Sequence, residues 1–229
     1  SRARPSTGKR HHCSSHGLAR MIELNAIILL SRSAGTVRKG VLSSEQTFME
    51  LRVEDADRIA QADRHYGRRG NLQRIHDRFR HGLRFFAVEE AGQLVAWFWV
   101  IHAVPRYFDE MCWLIDLQAT HVWARDAFVA PTHRGRRVLT AMMDLASVLD
   151  ERPLCYLSDV SASNWISLRA HKALGFEKIA TVRSLAIGKR LLLRSRPPAC
   201  LPQPQSIRPE RSWLWLTAEE YEWHRAHIA

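Results

Sequence analysis

Residues 126–139 read DAFVAPTHRGRRVL, and the fold turns on how this stretch is read. An apolar strand ending runs into Pro131, an arginine-rich turn follows, and from Val138 the chain takes up an apolar helical pattern. A strand that feeds a helix N-terminus builds an anion site. The first N–H groups of the helix lack intrahelical partners, and the peptide dipoles favour negative charge there. Arg134, Arg136 and Arg137 add guanidinium forks that match phosphate oxygens. A diphosphate fits this turn. A solvated basic turn that only keeps the surface soluble fits it equally, so the turn alone leaves both readings open.

The chain on either side supplies regular elements. Upstream, TFMELRV at 47–53 has strand composition, and EDADRIAQADRHYG at 54–67 gathers Ala56, Ile59, Ala60 and Ala62 on a helical face that Gly67 ends. A second helix over 71–82 carries Leu72, Ile75 and Phe79 and stops at Gly82. LRFFAVEEAGQLVAWFWVIHAV at 83–104 is the strongest hairpin signal, two apolar strands around Ala91 and Gly92. Residues 105–119 lack a clean period and read as a loop or short helix. Then come a strand at 120–130, an amphipathic helix at 136–150, a strand at 154–160, a helix at 164–174 stopped by Gly175, and a strand at 176–188. This order predicts an α/β (α+β) fold, a mixed and mostly antiparallel twisted sheet of six or seven strands flanked by helices. Four segments follow: 1–44 basic and poorly structured, 45–196 the domain, 197–210 a Pro-rich linker, and 211–229 a strand and helix packing on the domain. In the last of these, Thr217 and Glu220 have capping-box spacing.

The 229 residues are enough for one good core. The formal net charge of +11 is scattered and carried mainly by arginine, with no zinc-finger spacing and no basic stripe, which argues against a nucleic-acid partner. An acidic small molecule accounts for the excess equally well. Cys13, Cys112, Cys155 and Cys200 form no CxxC pair and read as reduced thiols of a cytoplasmic chain, and no metal site is expected. The longest apolar run, AIILL at 26–30, falls far short of the roughly eighteen residues of a membrane span. Residues 1–22 hold five Lys or Arg and no acid. They read as a transit leader, a basic tail, or an extension upstream of Met21, with the last two favoured.

A second segment, SASNWISLRAHKALGFEKI at 161–179, stands about thirty residues beyond the first. Together the two resemble the paired signatures of the GNAT superfamily of N-acetyltransferases, approximately D-x-Y/F-V-x-P-x-x-R-G-x-G-x-G/A and N-x-x-A/S-x-x-x-Y-x-x-x-G-F. Asp126, Phe128, Val129, Pro131, Arg134 and Gly135 match the first, and Asn164, Ser167, Gly175 and Phe176 the second. The resemblance covers 120–184 well and extends to 47 in element order. It implies acetyl-CoA or another acyl-CoA as co-substrate and a primary amine as acceptor, attacking the thioester directly. The donor would lie against Phe128 and Val129, its diphosphate on Arg134, Gly135, Arg136, Arg137, Val138, Leu139 and Thr140, with Asn164 and Ser167 nearby. Two motif positions differ. Arg137 and Leu139 replace glycines, so the backbone approaches a diphosphate less closely, and His171 replaces the tyrosine thought to protonate the leaving thiol.

Asp126 is the first candidate for handling the amine and His121 a second base, while His171 is the candidate acid or else a helix-surface histidine. Asp126 alternatively pairs with a nearby arginine in a structural role. Tyr107, Phe108, Asp109 and Trp113 are the candidate acceptor pocket, against the ordinary reading of the aromatics as packing. Two rival functions stay open: long-chain acyl transfer from acyl-CoA or from acyl carrier protein, an acidic partner suited to a +11 chain, and a non-catalytic binding module that has lost its glycines. A homodimer is a further expectation, with the aromatic C-terminal segment reaching a second subunit.

Overall fold

The computed structural model describes residues 22–33, 40–102, 105–117, 119–149, 155–187, 190–202 and 204–206. Its spine is the hairpin of β3 (Arg84–Glu90) and β4 (Gln93–His102). Ala91 and Gly92 between them both take positive φ, +50° and +77°, as the tight primed turns of hairpins require. Residues 94–101 are buried without a break, so β4 is covered on both faces and cannot show the alternation of a half-exposed strand. β2 (Gln46–Leu51) pairs with β3 and forms one sheet edge, and β7 (His121–Val129) pairs with the other side of β4.

The rest of the sheet is β8 (Cys155–Ser161), β1 (Ile22–Arg32), β9 (Glu177–Ile187) and β10 (Arg190–Arg194), in the order β10-β9-β1-β8-β7-β4-β3-β2. Every pairing is antiparallel except β7 with β8. Four helices flank this sheet: α1 (Ala56–His65), α2 (Leu72–Arg80), α3 (Val138–Leu149) and α4 (Trp165–Ala173). On one face Ile59, Ala60 and Ile75 of α1 and α2 pack with Trp97, Trp99, Trp123 and Leu157. On the other, Val138, Met142, Met143 and Ala146 of α3 join Phe98, Val100, Val122 and Tyr156. Each such large apolar side chain contributes about 1.5–3 kcal/mol on burial, and the two layers clamp β4 and β7 in place.

Four sequence expectations are corrected. The segment 1–44 is not poorly structured throughout: Ile22–Arg32 is β1, an eleven-residue strand between β8 and β9 with Leu29 at 1% exposure. Its apolar run is short because the alternation of a strand needs only every second residue inside. The main sheet accordingly has eight strands rather than six or seven, β1 and the edge strand β10 being the additions. Residues 105–119 hold two short strands, β5 (Arg106–Phe108) and β6 (Trp113–Ile115), joined by one 3-10 turn, and β11 (Pro204–Ser206) from the expected linker pairs with β6 to make a second, three-stranded sheet. Leu201 is buried, so the segment 197–206 is part of the fold rather than a spacer. The strand and helix expected at 211–229, with Thr217 and Glu220, lie outside the described residues, as do residues 1–21.

Candidate active site

β7 and β8 run parallel, but their pairing covers only His121 to Trp123 against Cys155 to Leu157. Beyond that point β7 continues to Val129, pairing with β4 alone, and β8 continues to Ser161, pairing with β1 alone. The sheet therefore opens into a split whose two lips carry unused ladder groups. β7 is bulged inside the split. Trp97 stands opposite Phe128 and Trp99 opposite Arg125, so Phe98 faces both Asp126 and Ala127, and Asp126 takes φ +51°. A bulge leaves its extra residue out of the ladder and re-aims the chain.

At the end of the split β7 delivers the turn read at the outset. Pro131–His133 forms a 3-10 turn, and α3 begins at Val138. The first helical bond runs from Ala141 N–H to the Arg137 carbonyl at 3.0 Å, which leaves the preceding N–H groups facing outward from the helix start. Arg134, Gly135, Arg136 and Arg137 are exposed. Arg134 folds back, its Nε–H donating to the Val129 carbonyl at 3.2 Å, and so closes the strand end. Gly135 has φ +78° and Arg137 has φ +59°. Arg137 therefore occupies the left-handed conformation that a glycine would take without strain, at a cost of roughly 1–2 kcal/mol. Val138 and Thr140 are buried and Leu139 packs on the core, so these three offer a ligand backbone N–H groups rather than side chains. His133, which the sequence reading passed over, fastens the turn: Nε2–H donates to Glu90 at 3.1 Å and Nδ1 accepts from the Thr132 hydroxyl at 2.9 Å.

Asp126 lies in an ion-pair cluster. Its Oδ2 accepts from Arg74 at 3.0 Å and from Arg78, and Arg125 stands 3.7 Å away. Burial alone would raise its pKa, but the charges of Arg78, Arg125, Arg74 and Arg68 outweigh that and hold the carboxyl well below 3.8. Arg78, buried and stacked 4.9 Å from Trp99, is pushed down to about 9 by burial and by Arg74, against the pull of Asp126. On the opposite lip Asp159 Oδ1 accepts from Arg106 and from Trp123 Nε1, both at 2.7 Å. Arg106 is buried against the Trp123 ring at 4.2 Å.

No family model matches the sequence, and no curated protein matches it. Among solved structures, a functionally unknown conserved protein from Staphylococcus epidermidis superposes with a TM-score of 0.52 at 6% identity, over 77% of this chain and 67% of that one. A protein from Novosphingobium aromaticivorans assigned to the GNAT family of acetyltransferases gives 0.47 at 14% identity, over 72% and 65%. A Drosophila protein gives 0.48 at 18% identity, over 74% of this chain and 54% of that one. The chain thus spans between about half and two thirds of the length of these three. The strand–turn–helix from β7 to α3 stands where the first signature segment implies it. The chain shares its fold with the Staphylococcus epidermidis protein. At these identities the likeness is one of fold.

Within this fold the remaining candidates separate. Asn164 caps α4, its Oδ1 accepting from Ser167 N–H at 3.0 Å. His171 Nδ1–H donates to the Ser167 carbonyl at 2.8 Å and Nε2 accepts from the Ser158 hydroxyl at 3.0 Å. Burial lowers its pKa against that backbone bond and the charge of Asp159, which disfavours the imidazolium form. His121 starts β7 at the closed end of the split, roughly 25 Å along the strand from Val129 at about 3.3 Å per residue. It is not brought to the site. Phe108 and Trp113 are fully buried and edge-to-face at 5.9 Å, so they pack rather than wall a pocket. The side chains of Tyr107 and Asp109 are outside the described set. Asp126 is gathered to the site, where the arginines that depress its carboxyl favour binding a cationic amine over taking its proton. The sequence reading missed Asp159, Arg106, Arg74 and Arg78. Only the last two had a signal, their i,i+4 spacing on one helix face.

Proposed function

We propose that this protein is an acyl-CoA-dependent N-acyltransferase, moving an acetyl group from acetyl-CoA to a primary amine. The observation that carries the reading is the coincidence, at one end of the sheet, of an unpaired length of β7 edge with the arginine-rich start of α3. The pantetheine amides would pair with the β7 edge around Phe128 and Val129, displacing Arg134 Nε from the Val129 carbonyl. The diphosphate would sit on the outward N–H groups before Ala141, gripped by Arg136 and Arg137. A backbone N–H released by the bulge at Asp126 is a preformed donor for the oxyanion.

The chemistry then balances simply. The neutral amine's lone pair attacks the thioester carbonyl, an N–C bond forms, the C–S bond breaks, and the electron pair leaves on sulfur. The proton lost by nitrogen passes to solvent, and the CoA thiolate takes one up. Asp126 steadies the incoming ammonium without retaining its proton, and His171 holds α4 to β8 through Ser158.

Calorimetric titration and thermal unfolding with acetyl-CoA test this reading. Ligand at a hundred times Kd should stabilise the fold by about 2.7 kcal/mol. Arg137→Gly relieves the left-handed strain but removes a guanidinium, so it should fold normally and bind acetyl-CoA about fivefold more weakly, for an exposed ion pair worth about 1 kcal/mol. The absence of both binding and thiol release at saturating acetyl-CoA would sink the assignment. A shift with acylated carrier protein alone would move the donor to that class.

A further inference from the structure

Three side chains from the two lips of the split lie on the face that packs α1 and α2. Arg125 lies opposite Trp99 on that face, Asp159 lies opposite Leu29, and Asp126 turns toward Arg74 and Arg78 of α2. Each is left with unused hydrogen-bonding atoms. All the ion pairs of Asp126 go through Oδ2, and both bonds of Asp159 go through Oδ1. Among the described residues Asp126 Oδ1, Asp159 Oδ2 and both Nη groups of Arg125 make no hydrogen bond. The three side chains are 24%, 23% and 21% exposed, so a ligand can reach them. Behind them Arg78 and Arg106 are buried, with donors at Arg78 Nε and at Arg106 Nε and Nη1 that meet no acceptor.

This constellation asks for a ligand of two signs. Two carboxylate oxygens, one from each lip, suit an ammonium. The planar Arg125 fork suits a carboxylate in bidentate geometry. The wider field is compatible: five guanidinium groups (Arg68, Arg74, Arg78, Arg106, Arg125) stand against four carboxylates (Asp63, Glu110, Asp126, Asp159), and a net-neutral zwitterion leaves that balance unchanged, whereas a plain cationic amine adds a further positive charge.

We infer that the acceptor is a zwitterion of the α-amino-acid type, its ammonium between Asp126 Oδ1 and Asp159 Oδ2 and its carboxylate on Arg125. The inference rests on the acyl-transfer reading and narrows its acceptor class. It also places the nucleophile beside the β7 bulge, on the opposite face of the sheet from α3 and α4.

The test compares L-amino acids with their α-amides and with the decarboxylated amines, using acetyl-CoA as donor. The α-amide's nitrogen is the less basic and is more often neutral near pH 7, so a preference for the acid must come from binding. The acids should exceed their amides at least tenfold in kcat/KM. Arg125→Gln should erase that difference through KM for the acid, Arg125→Lys should restore part of it, and Asp159→Asn should weaken acids and amides alike, with CoA titration as the check on folding. Amides or diamines accepted as well as acids, or Arg125→Gln lowering both equally, would overturn the inference. CoA binding with no amino acid accepted would overturn it and leave the donor reading standing. If CoA does not bind, the donor reading fails, and calorimetric titration of the same amino acids and amides into the protein alone decides the seat: acid-selective binding supports it, and absence of heat or of selectivity rejects it.

Discussion

At Asp126 the backbone takes φ +51° and the carboxylate meets Arg74, Arg78 and Arg125. The motif position was legible in the sequence. The protonation behaviour was not, because arginines some fifty residues upstream set it. Removing the charge should be costly. Asp126→Asn leaves three guanidinium groups without their shared counterion and should destabilise the fold by about 3 kcal/mol, measured by urea unfolding at neutral pH. The sign with pH follows from the depressed pKa. The folded state holds fewer protons than the unfolded chain below the ordinary value of 3.8, so the stabilisation is complete above 3.8 and is lost as pH falls from there toward the folded value. The gap between native and Asp126→Asn stabilities should therefore be constant from neutral pH down to about that point and close below it. A gap unchanged in strong acid would mean that the carboxylate's charge is not what the arginines need.

Among the elements, α4 is the least anchored. None of its residues is buried, and Trp165 and Ile166 are 66% and 65% exposed. Its order depends on the Asn164 cap, on the Ser158–His171 bond to β8, and on Leu174 and Phe176 beyond its end, which enter the core. Helices of nine residues are marginal without tertiary support. Asn164→Ala should cost about 1 kcal/mol and should speed amide exchange within α4 while leaving β8 and β9 protected. Equal acceleration across the sheet would show that the cap serves the whole fold rather than this helix. α2 has the same device in Asn71, whose side chain accepts from Arg74 N–H at 3.0 Å, but there Ile75 and Arg78 are buried and anchor the helix as well. The sequence marked Asn164 as a motif residue. That it caps the helix became visible only with the backbone in place.

For the molecule as a whole, β1 matters most among the features that local reading missed. It joins β8 to β9 along nearly its full length, and without it the split lip carrying Ser158–Ser161 has no outer neighbour. Leu29→Ala, at a fully buried centre of that strand, should cost about 3 kcal/mol in urea unfolding; a loss under 1 kcal/mol would mean the strand is dispensable to the core. The sequence by itself determined the elements from 46 to 102 and from 121 to 187, their order, the hairpin and the strand–turn–helix, because periodicity and turn residues are local properties. It also singled out the turn at 131–139. Tertiary structure alone decided that Ile22–Arg32 lies between β8 and β9, that β11 returns to β6, and that Phe108 and Trp113 are core. It alone brought Arg74, Arg78, Arg106 and Arg125 around Asp126 and Asp159. Apart from Arg125, which adjoins Asp126, the arginines lie about fifty positions from their carboxylates, and no spacing along the chain encodes which of many arginines will meet a given carboxylate.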